Sequence, residues 1–338
     1  MSDWSRYDES DAKVRPGRGS RPRSKIRPSH DDAVDGTVIA VDRGRCTVRT
    51  ADATVVAVKA RELGRRGIVV GDAVGLVGDV SGRPDTLARI VKRQERASAL
   101  RRTADDADPA ERVIVANADQ LAIVASLTNP EPNPRIIDRC LVAGFDAGLA
   151  EVLVLTKADL ADAEPVRALY EPLGVTVVET SVLRDGGPEA DPGIGRLREL
   201  LRDRRTVFVG PSGVGKSTLV NALVPDAGRA TGHVNEVTGR GRHTSTSSVM
   251  LEVPSGGWII DTPGVRSFGL AHVDPEHFLL AFPDVADYAA VHCPRGCLHL
   301  SAGDGCELDA WAHGDAGREV KLDSIRRLLA SRAAGEAF

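Results

Sequence analysis

TVFVGPSGVGKSTLVNAL, residues 206–223, is the stretch that decides the fold. It opens with β-branched and aromatic residues, TVFVG, that read as a buried strand. It closes with KSTLVNAL, which reads as helix. Between them Gly210-Pro-Ser-Gly-Val-Gly-Lys-Ser217 fits the phosphate-loop pattern in its strand-to-helix context. The loop formed by Gly210, Pro211, Ser212, Gly213, Val214 and Gly215 carries glycines that let backbone N–H groups turn inward on phosphates. Lys216 adds a point charge at the β- and γ-phosphates, and the Ser217 hydroxyl ligates Mg²⁺. Thr218 follows on the first helical turn, whose positive end favours the same anion.

Working outward, strand-like runs alternate with helical ones. The strands are LAIVAS (121–126), EVLVLT (151–156) and VTVVET (175–180). The helices are IIDRCLVAGFDAG (136–148) behind Pro134, EPVRALYEPL (164–173) and GRLRELLR (195–202). This alternation predicts a parallel α/β sheet between about residues 112 and 272.

Two further motifs lie on strand ends of that sheet. Asp261-Thr-Pro-Gly264 follows GWIID; the Asp261 carboxylate suits the water-mediated shell of Mg²⁺, and Gly264 leaves backbone free to approach a γ-phosphate. Thr156-Lys157-Ala-Asp159 follows EVLVL. Guanine offers a ring N–H beside an exocyclic NH₂, whereas adenine has an acceptor at the ring position, so the acceptor-only Asp159 selects guanine. A polar site of this kind discriminates by roughly 10⁴ to 10⁵. The Lys157 stem lies along the base or the phosphate loop, and Ser181 with Val182 completes the pocket through backbone N–H.

The flanks have their own character. Residues 36–91 hold short β-rich runs separated by turn signals: GTVIAV, CTVRT, TVVAVKA, DAVGLV and TLARIV. They predict a small antiparallel barrel of OB type. Ahead of it, the stretch from Lys13 to Arg27 carries seven Lys or Arg and no acid. That arm is expected to be disordered and to meet RNA or another polyanion. Downstream, Cys293, Cys297, His299 and Cys306 crowd one turn-rich segment, with His292 as a competing ligand. A Cys₃His set is complete around a tetrahedral ion, so one structural zinc per chain is expected. VKLDSIRRLLASRA (320–333) closes the chain as an amphipathic helix.

The 338 residues carry a net charge of −4 and five cysteines, with no apolar run long enough to span a bilayer and no signal core at the start. A cytoplasmic protein with reduced thiols and no membrane partner is the expectation.

The order of the motifs is unusual. The guanine motif and Ser181 precede the phosphate loop, and DTPG comes last, so the chain resembles the circularly permuted GTPases. ANADQ (116–120), RIIDRCLVAG (135–144), GRGRHTST (239–246) and DTPGVRSFG (261–269) sharpen the likeness. With the barrel before and the Cys/His segment after, the chain resembles the ribosome small-subunit-dependent GTPase family, RsgA or YjeQ, from about residue 36 onward. The resemblance implies four parts: a basic arm (1–33), an OB-type barrel (34–95), a circularly permuted P-loop GTPase domain of α/β class (96–272), and a mostly helical zinc-binding domain (273–338).

It also implies a GTP hydrolase that binds the small (30S) subunit and its rRNA in late assembly, is stimulated there, and leaves when GTP becomes GDP. A monomer is expected. Thr244 or Thr246 is the switch threonine reaching Mg²⁺ and γ-phosphate. Val265 stands where Ras-like switches carry a water-orienting glutamine, and the resemblance offers His243 instead; the alternative for His243 is a contact to RNA or solvent. Thr156 replaces the usual Asn and Val182 the usual Ala. Two other readings remain. Val265 fits a non-catalytic RNA-binding module that holds nucleotide as a structural ligand. A P-loop ATPase or kinase is the second, against which Asp159 speaks.

Overall fold

The computed structural model describes residues 30–64, 67–102, 112–182, 186–227, 248–262, 270, 273, 278–301 and 305–333. Its first five strands are β1 (Val34–Asp42), β2 (Arg45–Thr50), β3 (Thr54–Lys59), β4 (Ala73–Gly78) and β5 (Ala88–Arg93). Alternation along them sends Val38, Val48, Val55, Ala57, Val74, Leu76 and Ile90 into one small core. Strand β1 pairs with both β2 and β4, β2 with β3, β3 with β5 and β5 with β4, so the ring closes. Closure leaves the small barrel no open edge. One pairing departs from the antiparallel expectation: β3 and β5 run parallel. Strand β4 lies between them in sequence and reverses the chain, so β5 returns in the direction of β3.

A two-stranded hairpin follows, β6 (Ala99–Arg102) with β7 (Arg112–Ala116). The main sheet then builds from β8 (Gln120–Ser126), helix α1 (Pro134–Asp146), β9 (Ala150–Thr156), α2 (Glu164–Tyr170), β10 (Thr176–Thr180), α3 (Pro192–Leu201), β11 (Arg205–Val209), α4 (Lys216–Leu223), β12 (Val249–Glu252) and β13 (Trp258–Asp261). Asn133 starts α1: its side chain accepts the Arg135 N–H, and Pro134 occupies the first helical position. The strand order is β10-β9-β8-β11-β13-β12, parallel from β10 to β13. Strand β12 is antiparallel to β13, which corrects the all-parallel expectation. A short turn joins the two, and only a hairpin can be closed so tightly.

All seven residues of β8 are buried, as a strand covered on both faces requires. Leu121, Ile123 and Ala125 face α1, while Ala122 and Val124 face α3 and α4. Each fully buried aliphatic side chain contributes about 1.5–3 kcal/mol. Beyond the sheet, α5 (Pro283–His292), α6 (Leu308–Ala312) and α7 (Ala316–Ala333) extend the α1 face. Phe145 of α1 meets Phe278 and Phe282 edge to face. Leu322, Ile325 and Leu329 form the buried stripe of α7. Among the described residues no helix is long and apolar enough to cross a membrane.

Barrel and sheet are joined by specific contacts. Ala40 of β1 pairs with Val249 of β12, which makes the two sheets continuous. Asp72 is fully buried, accepts the Val69 N–H, and takes both Nε and Nη2 of Arg96, at 2.6 and 2.9 Å. The Asn117 side chain donates to the Gly71 carbonyl and accepts the Ala97 N–H. Removing one partner of a buried ion pair of this kind costs about 3–5 kcal/mol.

One buried carboxyl works against the fold. Glu151 of β9 lies under Gly144 of α1, and its buried Oε1 has no hydrogen-bond partner among the described residues. Burial raises its pKa from 4.5 to about 9. Below pH 4.5 both folded and unfolded chains hold the proton, and no penalty arises. Above that value the unfolded chain releases it and the folded chain keeps it, so stability falls by at most about 1.4 kcal/mol per pH unit until the folded pKa is reached. Glu151→Gln should therefore raise Tm over the parent protein by an amount that grows from pH 5 to pH 9. Thermal melts across that range check it; a constant difference would show that the carboxyl ionises freely.

Candidate nucleotide site and metal cluster

The phosphate loop bridges the C-terminal end of β11 and the start of α4. A Cβ on Gly210 would lie 2.4 Å from the Val124 carbonyl oxygen of β8, so only glycine lets the loop pass that strand. Gly213 and Gly215 take φ of +85° and +90°, which turns the chain back on itself ahead of Lys216. The loop ends as the first turn of α4, where Lys216, Ser217 and Thr218 stand half-buried. Lys216 Nζ meets Asp261 Oδ1 at 2.6 Å and also the Thr262 carbonyl. Asp261 is in register with Phe208 of β11, and Thr262 Oγ1 donates to the Phe208 carbonyl at 2.8 Å. The phosphate-loop lysine and the acidic strand end, 45 residues apart in sequence, therefore share one point.

Beside this point lies a cleft of about 320 Å³, lined by Thr128, Asn129, Thr156, Lys157, Asp159, Leu160, Ser181 and Val182 together with Gly215 and Thr218. Thr156 closes β9 and its hydroxyl donates to the Val214 carbonyl at 2.6 Å, so the base-recognition turn and the phosphate loop are fastened directly. Thr156, standing where Asn is usual, thus supplies a polar tie to the loop. Lys157 Nζ donates to the Thr128 carbonyl at 3.0 Å and to the Asn129 carbonyl, so its side chain reaches the loop after β8. Ser181 lines the cleft, but its backbone N–H donates to Asp191 Oδ2 at 2.6 Å. That amide is therefore engaged by a side chain of the protein itself. Thr128, Asn129, Thr262 and Asp191 are additions that sequence reasoning missed. Only Asp191 carried a signal, as an acid directly before Pro192 at a helix start. His243, Thr244, Thr246, Gly264 and Val265, with the basic arm up to residue 29, lie outside the described residues.

The second cluster lies between α5 and α6. Ligand atoms of Cys293, Cys297, His299 and Cys306 all fall within 4.8 Å of one another. A tetrahedral ion with Zn–S bonds of 2.3 Å has ligand edges of about 3.8 Å, so the four fit one metal. His299 turns Nδ1 toward Cys306 Sγ, 3.7 Å away, while His292 stacks on Tyr288 outside the cluster. Burial, reinforced by the neighbouring thiols, pushes the Cys293 thiol up to about 11, and burial raises Cys297 also. A thiolate set in this place needs a cation to form.

Helix α7 braces that cluster and the sheet with adjacent side chains. Arg326 forks onto Asp309 at 2.6 and 2.8 Å, donates to the His299 carbonyl, and reaches Cys306 Sγ at 4.0 Å. Arg327 donates to Asp138 of α1 at 3.0 Å and to the Leu169 carbonyl, and lies over the Tyr170 ring. Burial raises the Asp138 pKa, and the Arg327 charge opposes that rise.

A phosphate loop in the middle of the chain, a base cleft built from earlier loops and an acidic strand end that follows define a circularly permuted P-loop domain behind an OB-type barrel. Comparison with known proteins narrows this class. The RsgA GTPase family matches residues 93–271. Small ribosomal subunit biogenesis GTPase RsgA 1 of Vibrio vulnificus is 39% identical over 230 residues, covering 66% of this chain and 63% of that protein. The RsgA of Chlorobaculum parvum is 34% identical over 301 residues, covering 83% of this chain and 95% of that protein. The crystal structure of YjeQ from Thermotoga maritima superposes with a TM-score of 0.57 at 24% identity, covering 88% of this chain and 98% of the other. YloQ, a circularly permuted GTPase, gives 0.59 at 22% identity, covering 90% and 98%. The chain belongs to the RsgA GTPase family.

Thr156→Val keeps the shape of the side chain and leaves the Val214 carbonyl without its donor, a loss of about 1–3 kcal/mol. Nucleotide affinity should fall by about tenfold or more, and Thr156→Asn should restore most of it. Titration with a fluorescent guanine nucleotide checks both; a Thr156→Val protein with parental affinity would show that the tie does not shape the site.

Proposed function

We propose that this chain hydrolyses GTP to GDP and phosphate on the small ribosomal subunit during late assembly of that subunit, and leaves it after hydrolysis. The carrying observation is the single cleft in which Asp159 and Val182 lie beside Gly215 and Thr218 of the phosphate-loop turn. A base held by Asp159 and phosphates held by the loop are then parts of one ligand. Family membership and the names of the relatives support the choice of reaction and partner.

In this reading Lys216 holds the β- and γ-phosphates and the Ser217 hydroxyl and Asp261 side the metal end of the site. Bound Mg²⁺ supplies charge neutralisation to the phosphates. The 2.6 Å contact of Lys216 with Asp261 supports this arrangement, because it brings the phosphate-binding lysine and the metal-side carboxylate to one point. Gly264 leaves room at the γ-phosphate, and Thr244 or Thr246 closes over it. His243 orients the attacking water in place of the glutamine that Val265 displaces. The parts of the reading are a basic arm (1–33) and barrel (34–95) that grip ribosomal RNA, the GTPase domain (96–272), and a zinc-stabilised module (273–338). The protein acts in the cytoplasm as a monomer.

Single-turnover hydrolysis of GTP and ATP, with and without small subunits, tests the function. GTP should be cleaved slowly by the free protein and much faster with subunits, and ATP in neither case. Bound but uncleaved GTP under all conditions would leave a non-catalytic RNA-binding module that holds nucleotide as a structural ligand, the rival that Val265 fits. Equal cleavage of ATP would sink the guanine reading.

The Cys₃His set holds zinc in this proposal. Purified protein should carry about one zinc per chain, as four soft ligands around a closed tetrahedron imply. Cys297→Ser should lose the metal and loosen the α5–α7 segment, because metal binding is coupled to local folding. Metal analysis and thermal melts decide; a zinc-free preparation with an undiminished Tm would argue against the assignment.

A further inference from the structure

Strand β10 is the outer strand of the sheet and has β9 on one side only. The segment that leaves it, residues 181 and 182, forms a wall of the cleft. Among the described residues no second strand pairs with β10 on its outer side, and a backbone amide recognises a ligand only when its direction is fixed.

The fixing group is Asp191. It is 7% exposed, and its two oxygens take two different amides. Oδ1 accepts the Gly193 N–H at 2.8 Å, the ordinary cap of α3. Oδ2 accepts the Ser181 N–H at 2.6 Å, ten residues earlier in the chain. Capping needs only the first bond. The second ties the cleft wall to the start of a helix that itself has no slack: a Cβ on Gly193 would lie 1.8 Å from the Glu179 carbonyl oxygen. On the other side, the Ala158 N–H donates to the Thr180 carbonyl at 3.1 Å, which joins the Asp159 turn to the same strand end.

We propose that Asp191 is the positioning residue for base recognition: by holding the Ser181 amide it aims the Val182 amide at the 6-oxo group of the purine. Asp159 reads the ring N–H and the 2-amino group, and Asp191, without touching the ligand, determines how well the opposite edge is read. The inference rests on the guanine reading given above.

Asp191→Asn separates the two bonds. Asparagine is a good helix cap and keeps an acceptor for Gly193, but its amide group cannot accept from Ser181. The probes are GTP, ITP, which lacks the 2-amino group, and 6-thio-GTP, whose sulfur is a weak acceptor in place of the 6-oxygen. The parent protein should bind GTP more tightly than 6-thio-GTP. In Asp191→Asn, affinity for GTP and ITP should fall by the same factor, about tenfold for one lost ligand hydrogen bond. Affinity for 6-thio-GTP should fall less, so the preference for GTP over it shrinks toward one. Asp159→Asn should instead change the ratio of GTP to ITP. An unchanged ratio of GTP to 6-thio-GTP in Asp191→Asn, or no such preference in the parent, overturns the proposal. If Asp191→Asn does not fold, Asp191→Ser, which also caps, is read in the same way. Parent protein that binds no GTP, or binds ATP equally well, defeats the guanine reading itself, and the parent titrations show this before any variant is made.

Discussion

The hydroxyl of Thr156 on the carbonyl of Val214 is the contact around which the rest of this site is arranged. A phosphate loop needs left-handed glycines and amides that point inward, so it cannot hold itself by regular backbone pairing. It is held from outside. Gly210 presses against Val124 of the neighbouring strand, and Thr156 fastens the loop from one strand further across. Because Thr156 also begins the turn that ends in Asp159, one short hydrogen bond joins that turn to the phosphate loop. The loops after β8, β9 and β10 and the phosphate-loop turn together line the cleft.

The same economy governs the ends of the domain. A permuted chain enters the sheet at an inner strand and leaves it at β13, beside the phosphate loop. The buried Asp72–Arg96 pair and the Asn117 amide lock the barrel to the first strands. Arg326 and Arg327, adjacent on α7, face opposite tasks: one braces the Cys/His cluster and the other grips Asp138. Helix α7 thus ties the metal-binding segment to the helix that covers the sheet. A rigid link of this kind can transmit a movement that a flexible tether would absorb.

Much of the site was legible because its chemistry is contiguous. The phosphate loop, TKAD and DTPG each lie within a few residues and the Cys/His set within fourteen, and it is their combination in one chain that points to a nucleotide site and a metal cluster. Barrel strands were legible from alternation, and β8 from an uninterrupted apolar run. The parallel β3–β5 pair was not, since alternation is the same in either direction. Nor was the antiparallel β12, a four-residue strand with no signal beyond its hairpin turn. The bond from the Ser181 N–H to Asp191 was not legible because a backbone amide has no sequence signature at all: Asp191 is recognisable as a helix cap but not as a second acceptor.

By itself, the sequence determined the order of the motifs, hence the permutation, because order is a property of the chain before it folds. Tertiary structure alone decided which groups hold those motifs in position. Thr156 and Val214 are 58 residues apart, Asp72 and Arg96 are 24, and Asp138 and Arg327 are 189. No local pattern encodes such pairs, since each depends on where two separate elements come to rest once the apolar faces of the sheet have been covered.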